Sequence, residues 1–243
     1  MACCPSELPA VSSDYSPKGD YATYADLNTY VIGPSDAKKA IIIVYDIFGF
    51  HPSTFQGADR LAASTNALVF VPDFFKGKAL PLSGFPPDTA EKKQLIDAVM
   101  KIALPPQHIP NLWNFVDELT EKKGITAWGS FGLCWGGKIT ALASAKGTKF
   151  KASGTAHPGR PDAADAKGII IPYLSLFSKG DGDPAVVKEC SEILKAKEGC
   201  EVEHYTDMHH GWMAARANLK DPENVKQFEK GWNQTAAFFN KNL

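Results

Sequence analysis

The stretch "WGSFGLCWGGKIT", residues 128–140, sets a cysteine in the spacing G-x-C-x-G-G, with Gly132, Gly136 and Gly137 around Cys134. The run Ile125-Thr126-Ala127-Trp128 leads into it as a predicted strand (125–129), and a helix (137–146) is predicted to follow. A nucleophile at such a strand-to-helix turn is held in a strained backbone conformation, so it needs small neighbours, and its side chain is expected to stand exposed above the sheet. A cysteine that merely packs needs no such surroundings. The amides opening the following helix favour a thiolate and can hold an oxyanion. The Trp135 amide, directly after the cysteine, is the first oxyanion donor, and by position the Ile47 amide is the second.

The rest of the chain supplies a sheet around this turn. AIIIVY (40–45) is unbroken by polar residues, as a strand covered on both faces requires. Strands are predicted at 67–71, 150–156, 169–177 and 200–206, with helices at 53–65, 89–103, 108–122, 184–197 and 222–240. Residues 74–88, rich in Gly and Pro, read as a surface loop over one end of the sheet. Alternating strands and helices make a mostly parallel sheet with helices on both faces, in one α/β domain spanning 1–243. Residues 1–20 are expected to be a loosely ordered terminal segment.

Parallel sheets bind ligands at the carboxyl ends of their strands. There this sequence puts Asp46-Ile47-Phe48-Gly49, Cys134, His157, the Asp181/Asp183 pair and the His209-His210 pair. A thiol attacks well only beside a base, and the base must be oriented by an acid. The order Cys134, Asp181, His210 follows the nucleophile–acid–histidine order of α/β-hydrolases. Asp183 competes with Asp181, its other reading being an N-cap ahead of Pro184; His209 competes with His210. Trp135 and Trp212 flank these residues and are expected to wall the pocket, with Phe48 beside them; His157 either lines the pocket too or serves plain hydrogen bonding. Phe85 offers itself as a further pocket residue, with core packing the preferred reading.

The segments YDIFGF (45–50), VPDFF (71–75), GLCWGG (132–137), FSKGD (177–181) and HHGW (209–212) together resemble the dienelactone hydrolase family of α/β-hydrolases, particularly its fungal members. The resemblance favours Asp181 and His210 within their pairs. It implies a cysteine-dependent carboxylic ester hydrolase that opens enol-lactones, using neither metal nor organic cofactor. It also implies a thiol-modulating acid at Asp46, where family members often carry Glu, and a substrate-carboxylate anchor at Arg216. Two further readings keep the same fold. One is a thioesterase or general carboxylesterase of polyketide or xenobiotic metabolism. The other is a non-catalytic binder of small carboxylates, or an oxidant sensor acting through Cys134.

Composition narrows the partners. The net charge is −1, from 26 basic against 27 acidic residues, and no basic cluster offers itself to nucleic acid. No apolar run reaches the ~20 residues of a membrane span, and the first residues lack the basic and apolar regions of a secretory signal. Five cysteines at irregular spacings make no disulfide framework. Cys3 and Cys4 read as incidental or redox-sensitive, Cys190 and Cys200 as packing or surface thiols. A cytoplasmic protein is expected, monomeric by default with a homodimer as the alternative, acting on a small lactone or ester.

Overall fold

In the computed structural model, which describes residues 14–243, eight strands form one sheet. They are β1 (Asp20–Tyr24), β2 (Leu27–Ile32), β3 (Lys39–Val44), β4 (Leu68–Pro72), β5 (Ala127–Leu133), β6 (Ala152–Ala156), β7 (Tyr173–Lys179) and β8 (Glu201–His209). Their order across the sheet is β1-β2-β4-β3-β5-β6-β7-β8, parallel from β4 to β8. The helices are α1 (Pro52–Thr65), α2 (Ala90–Ile102), α3 (Pro105–Lys123), α4 (Trp135–Ala143), α5 (Ala163–Gly168), α6 (Pro184–Lys195) and α7 (Pro222–Asn242). Among the described residues, no helix is long and apolar enough to cross a membrane.

The central strands read apolar because both faces are covered. In β3, Ala40 through Val44 are all fully buried. In β5 the two faces separate by alternation: Phe131 meets Trp232 and Phe239 of α7, whereas Trp128 donates its indole N–H to Thr120 of α3. Gly129 lies under the Phe239 ring, where a Cβ would come within 2.7 Å, so α7 packs directly on the strand.

The antiparallel β1–β2 hairpin was not evident in the sequence. Its two-residue turn, Ala25-Asp26, has φ of 46° and 59°, a conformation usually announced by Asn-Gly rather than Ala-Asp. Of the segment expected to be loosely ordered, residues 14–19 are tied down, and residues 1–13 lie outside the described residues. The Tyr15 hydroxyl (2.6 Å) and the Lys18 amide (3.0 Å) both donate to Asp59 of α1, and the Gly19 amide donates to the Tyr30 hydroxyl at 2.7 Å. The buried Asp59 carboxylate supplies acceptors that composition alone does not reveal. Cys3 and Cys4 lie outside the described residues.

Other differences are local. Helix α5 occupies 163–168, a stretch without a predicted element, and the next strand begins at Tyr173 rather than 169. The loop between β4 and α2 contains one short 3-10 turn, Leu82–Gly84. Asp73 anchors the start of that loop, accepting from the Gly77 amide and the Tyr45 hydroxyl, both at 2.8 Å.

Candidate active site

The turn from β5 to α4 is strained at one residue. Cys134 has φ 52° and ψ −109°, a conformation that costs a residue with a Cβ on the order of 1–3 kcal/mol. It persists because three chain segments meet there. The Cys134 carbonyl accepts from Gly137 (2.9 Å) and Gly159 (2.8 Å), while the Gly136 amide donates to the Tyr45 carbonyl (3.1 Å). A Cβ on Gly132 would lie 2.2 Å from the Gly136 carbonyl oxygen, so both glycines are required by contact. Pinning Gly136 to Tyr45 brings the start of α4 against the end of β3, beside the turn that carries Ile47.

The sulfur itself does not stand exposed. Cys134, His210 and Asp181 are each only 3% exposed. Gly159 lies against the thiol, where a Cβ would approach Sγ to 3.3 Å, and the turn at Asp46–Phe48 and the segment at Gly211–Arg216 are equally buried nearby. The sequence marks the sharp bend but not the segments folded over it.

Asp181 and His210 meet at the same sheet edge. Asp181 Oδ1 and His210 Nδ1 are 2.8 Å apart. The carboxylate also accepts from the amide and the hydroxyl of Ser178, the latter at 2.7 Å. A carboxylate already accepting in this way has only acceptors to offer, so Nδ1 carries the imidazole proton and the lone pair is on Nε2. A register shift where β8 leaves β7, between Ser178 and Lys179, lets His209 pair with Lys179 and turns the next residue toward Asp181. Asp183 instead caps α6, accepting from the Ala185 amide, and His209 Nε2 bonds the Arg216 carbonyl at 2.9 Å.

Asp46 holds the turn after β3. One oxygen accepts from the Phe48 amide (2.9 Å) and the other from the Ala215 amide (3.2 Å), which fixes the turn through Ile47 and ties it to the segment at Ala215. Burial pushes the Asp46 carboxyl up to about 6, against the lowering effect of those two amides and of nearby His210 and Arg216. Its protonated form is therefore favoured by folding. The resulting stability is full below about pH 4 and is lost as pH rises through 6, a swing of about 3 kcal/mol. Asp46→Asn removes that titration. Relative to the native chain, the variant's unfolding free energy is expected to rise by roughly this amount between pH 4 and pH 7, as read from urea denaturation at each pH.

Arg216 is 2% exposed, with its guanidinium 4.8 Å from the centre of the Phe85 ring, and Phe85 meets Phe48 edge-on at 5.8 Å. Phe85, for which core packing is the preferred reading of the sequence, thus lies against Arg216 and Phe48, because the folded loop brings it over a buried cation. His157, fully buried at the end of β6, sets its ring edge-on to His210 with centroids 5.3 Å apart.

Trp212 departs from the expected pocket wall. It is fully buried against Tyr205 at 4.4 Å and reaches Gly231 of α7, because the turn closed by its amide on the His209 carbonyl sends the indole into the core. The Trp135 indole packs with Phe75 (4.4 Å) and His108 (4.9 Å), donating to the Ala103 carbonyl at 2.8 Å. No group of three or more His, Cys, Asp or Glu suited to a metal ion occurs among the described residues.

The dienelactone hydrolase family model matches residues 27–243. The chain belongs to the dienelactone hydrolase family. An AIM2 family protein of Schizosaccharomyces pombe is 35% identical over 98% of both chains. The carboxymethylenebutenolidase homolog of Rattus norvegicus is 24% identical over 98% of this chain and 96% of its own. Among solved structures, a putative dienelactone hydrolase from Klebsiella pneumoniae superposes with a TM-score of 0.67 at 20% identity, over 88% of this chain and 92% of its own. This member of the dienelactone hydrolase family is accordingly a hydrolase with an α/β-hydrolase fold.

Proposed function

We infer that this dienelactone hydrolase family member is a cysteine-dependent carboxylic ester hydrolase acting on enol-lactones or related esters. The observation that carries this reading is the Asp181–His210 hydrogen bond, on the same sheet edge as a cysteine held at φ 52°. His210 takes the thiol proton of Cys134, with Asp181 fixing the tautomer and stabilising the imidazolium. The thiolate attacks the carbonyl carbon, while the Ile47 and Trp135 amides hold the oxyanion. Asp46 acts on this step by keeping the Ile47 turn in place, and its carboxyl, poised near neutrality, modulates the thiol. The thioester is then hydrolysed with His210 activating water, or with the released enolate serving as base.

Arg216, lying over Phe85, anchors a carboxylate on the substrate. The test compares an enol-lactone or aryl ester bearing a carboxylate with its methyl-ester analogue. The native enzyme is expected to prefer the anion by about 10²-fold in kcat/KM, and Arg216→Gln to lose most of that preference. An equal rate on both substrates overturns the anchor. Thioesters run in parallel separate the lactonase reading from the thioesterase one. Rapid alkylation of Cys134 without turnover of any ester would leave only the binder or sensor reading.

A further inference from the structure

Beside the proposed triad lies an imidazole that the mechanism leaves without a task. His157 is 0% exposed, and neither of its ring nitrogens has a hydrogen-bond partner in another residue among the described residues. Its ring nitrogens meet only its own backbone, and since buried polar groups are overwhelmingly hydrogen-bonded, the ring has capacity for a partner that arrives in the site. Its backbone is costly too. The φ of 39° is held by the His157 amide on the Leu176 carbonyl (2.8 Å) and, two residues on, by the Gly159 amide on the Cys134 carbonyl (2.8 Å). Strain of this kind is retained where neighbouring structure fixes it, and it concentrates at functional sites.

The sheet order says which side of the reacting carbon this ring serves. Proceeding across the edge, β3 carries Ile47, β5 carries Cys134, β6 carries His157 and β7 carries Asp181. The Ile47 amide therefore lies on the β3 side of Cys134, and His157 lies on the opposite side, next to His210. Gly159 against Sγ shows that the 157–159 segment forms the wall there. A carbon bonded to sulfur with its oxyanion toward β3 has two substituents left, and the leaving-group oxygen must face His210 to take its proton, which sets it beside His157 as well.

Resting on the hydrolase reading above, we propose that His157 is a further catalytic residue, a neutral imidazole whose N–H hydrogen-bonds the leaving-group oxygen as the tetrahedral intermediate collapses. Burial and the nearby His210 push its pKa well below the usual histidine value, which suits a neutral donor and makes it a poor competitor for the thiol proton. The Sγ–C bond has formed and the C–O bond breaks. The proton taken from the thiol passes from His210 to the departing oxygen, and His157 keeps its own.

The test is a series of esters with one acyl group and leaving groups from p-nitrophenol to an alkanol. The enzymes are the native chain, His157→Asn and His157→Phe; asparagine tolerates the left-handed backbone. Both variants are expected to lose about 10²-fold in kcat/KM on the alkyl ester and less than about threefold on the p-nitrophenyl ester, with the rate of Cys134 alkylation by iodoacetamide unchanged. Equal losses on both esters, or no loss on either, overturn the proposal. The native enzyme's own rates should depend only shallowly on leaving-group basicity, as donation from His210 and His157 together requires, and a steep dependence overturns the proposal even if neither variant folds. Absence of native turnover on every ester would remove the hydrolase reading, and His157 with it; native turnover with a flat variant profile removes His157 alone.

Discussion

Cys134→Ala is expected to lower kcat/KM for any ester or lactone substrate by a factor of about 10⁴ or more, while the chain stays folded. Removing the nucleophile of such a constellation leaves only binding and oxyanion stabilisation, a small remainder of the whole. The loss is one of chemistry, since a single buried sulfur costs little packing. Stability supplies a second signature. Glycine occupies φ 52°, ψ −109° more readily than residues with a Cβ, so Cys134→Gly should unfold at higher urea than Cys134→Ala, by about 1 kcal/mol. An enzyme under selection for stability alone would carry glycine there. Turnover of an activated ester by Cys134→Ala at more than a few per cent of the native rate would remove the cysteine from the mechanism.

Gly136→Ala is expected to be the most damaging single methyl group in the chain. Its Cβ would lie 1.9 Å from the Val44 carbonyl oxygen and 2.9 Å from that of Tyr45, and both are backbone atoms that no rotamer change can move. The variant must push α4 away from β3, which breaks the Gly136–Tyr45 hydrogen bond and separates the two proposed oxyanion amides. A loss of about 4 kcal/mol or more in unfolding free energy is expected, enough to consume much of a domain's margin. A change within about 1 kcal/mol would show that the helix and strand are not in the contact described. Gly168, where an added Cβ would meet nothing nearer than the Ala145 Cβ at 3.8 Å and φ is not positive, is the matched control for adding a methyl group.

Where sequence and structure agree, short-range physics decides the outcome. Unbroken β-branched runs such as Ala40–Val44 form doubly covered strands, and the glycines about Cys134 announce a bend because contact with backbone leaves no alternative residue. Where they part, the deciding partner is remote. The β1–β2 hairpin depends on pairing with β4 and on Asp59 some forty residues away, and its turn sequence carries no signal. Phe85 belongs to the site because the loop lays it on Arg216, and Trp212 leaves the site because a tight turn faces it to α7. The closeness of the covering segments over Cys134 is likewise a sum of long-range contacts, which neither periodicity nor motif spacing encodes.

Acid quenching during turnover, followed by digestion and mass measurement, tests the central claim most directly. With an ester whose acyl-enzyme breaks down slowly, the peptide containing Cys134 is expected to gain the mass of the acyl group, in proportion to active enzyme, and to lose it as product appears. Steady turnover with no acyl mass on that peptide, or with the acyl group on another residue, would contradict it.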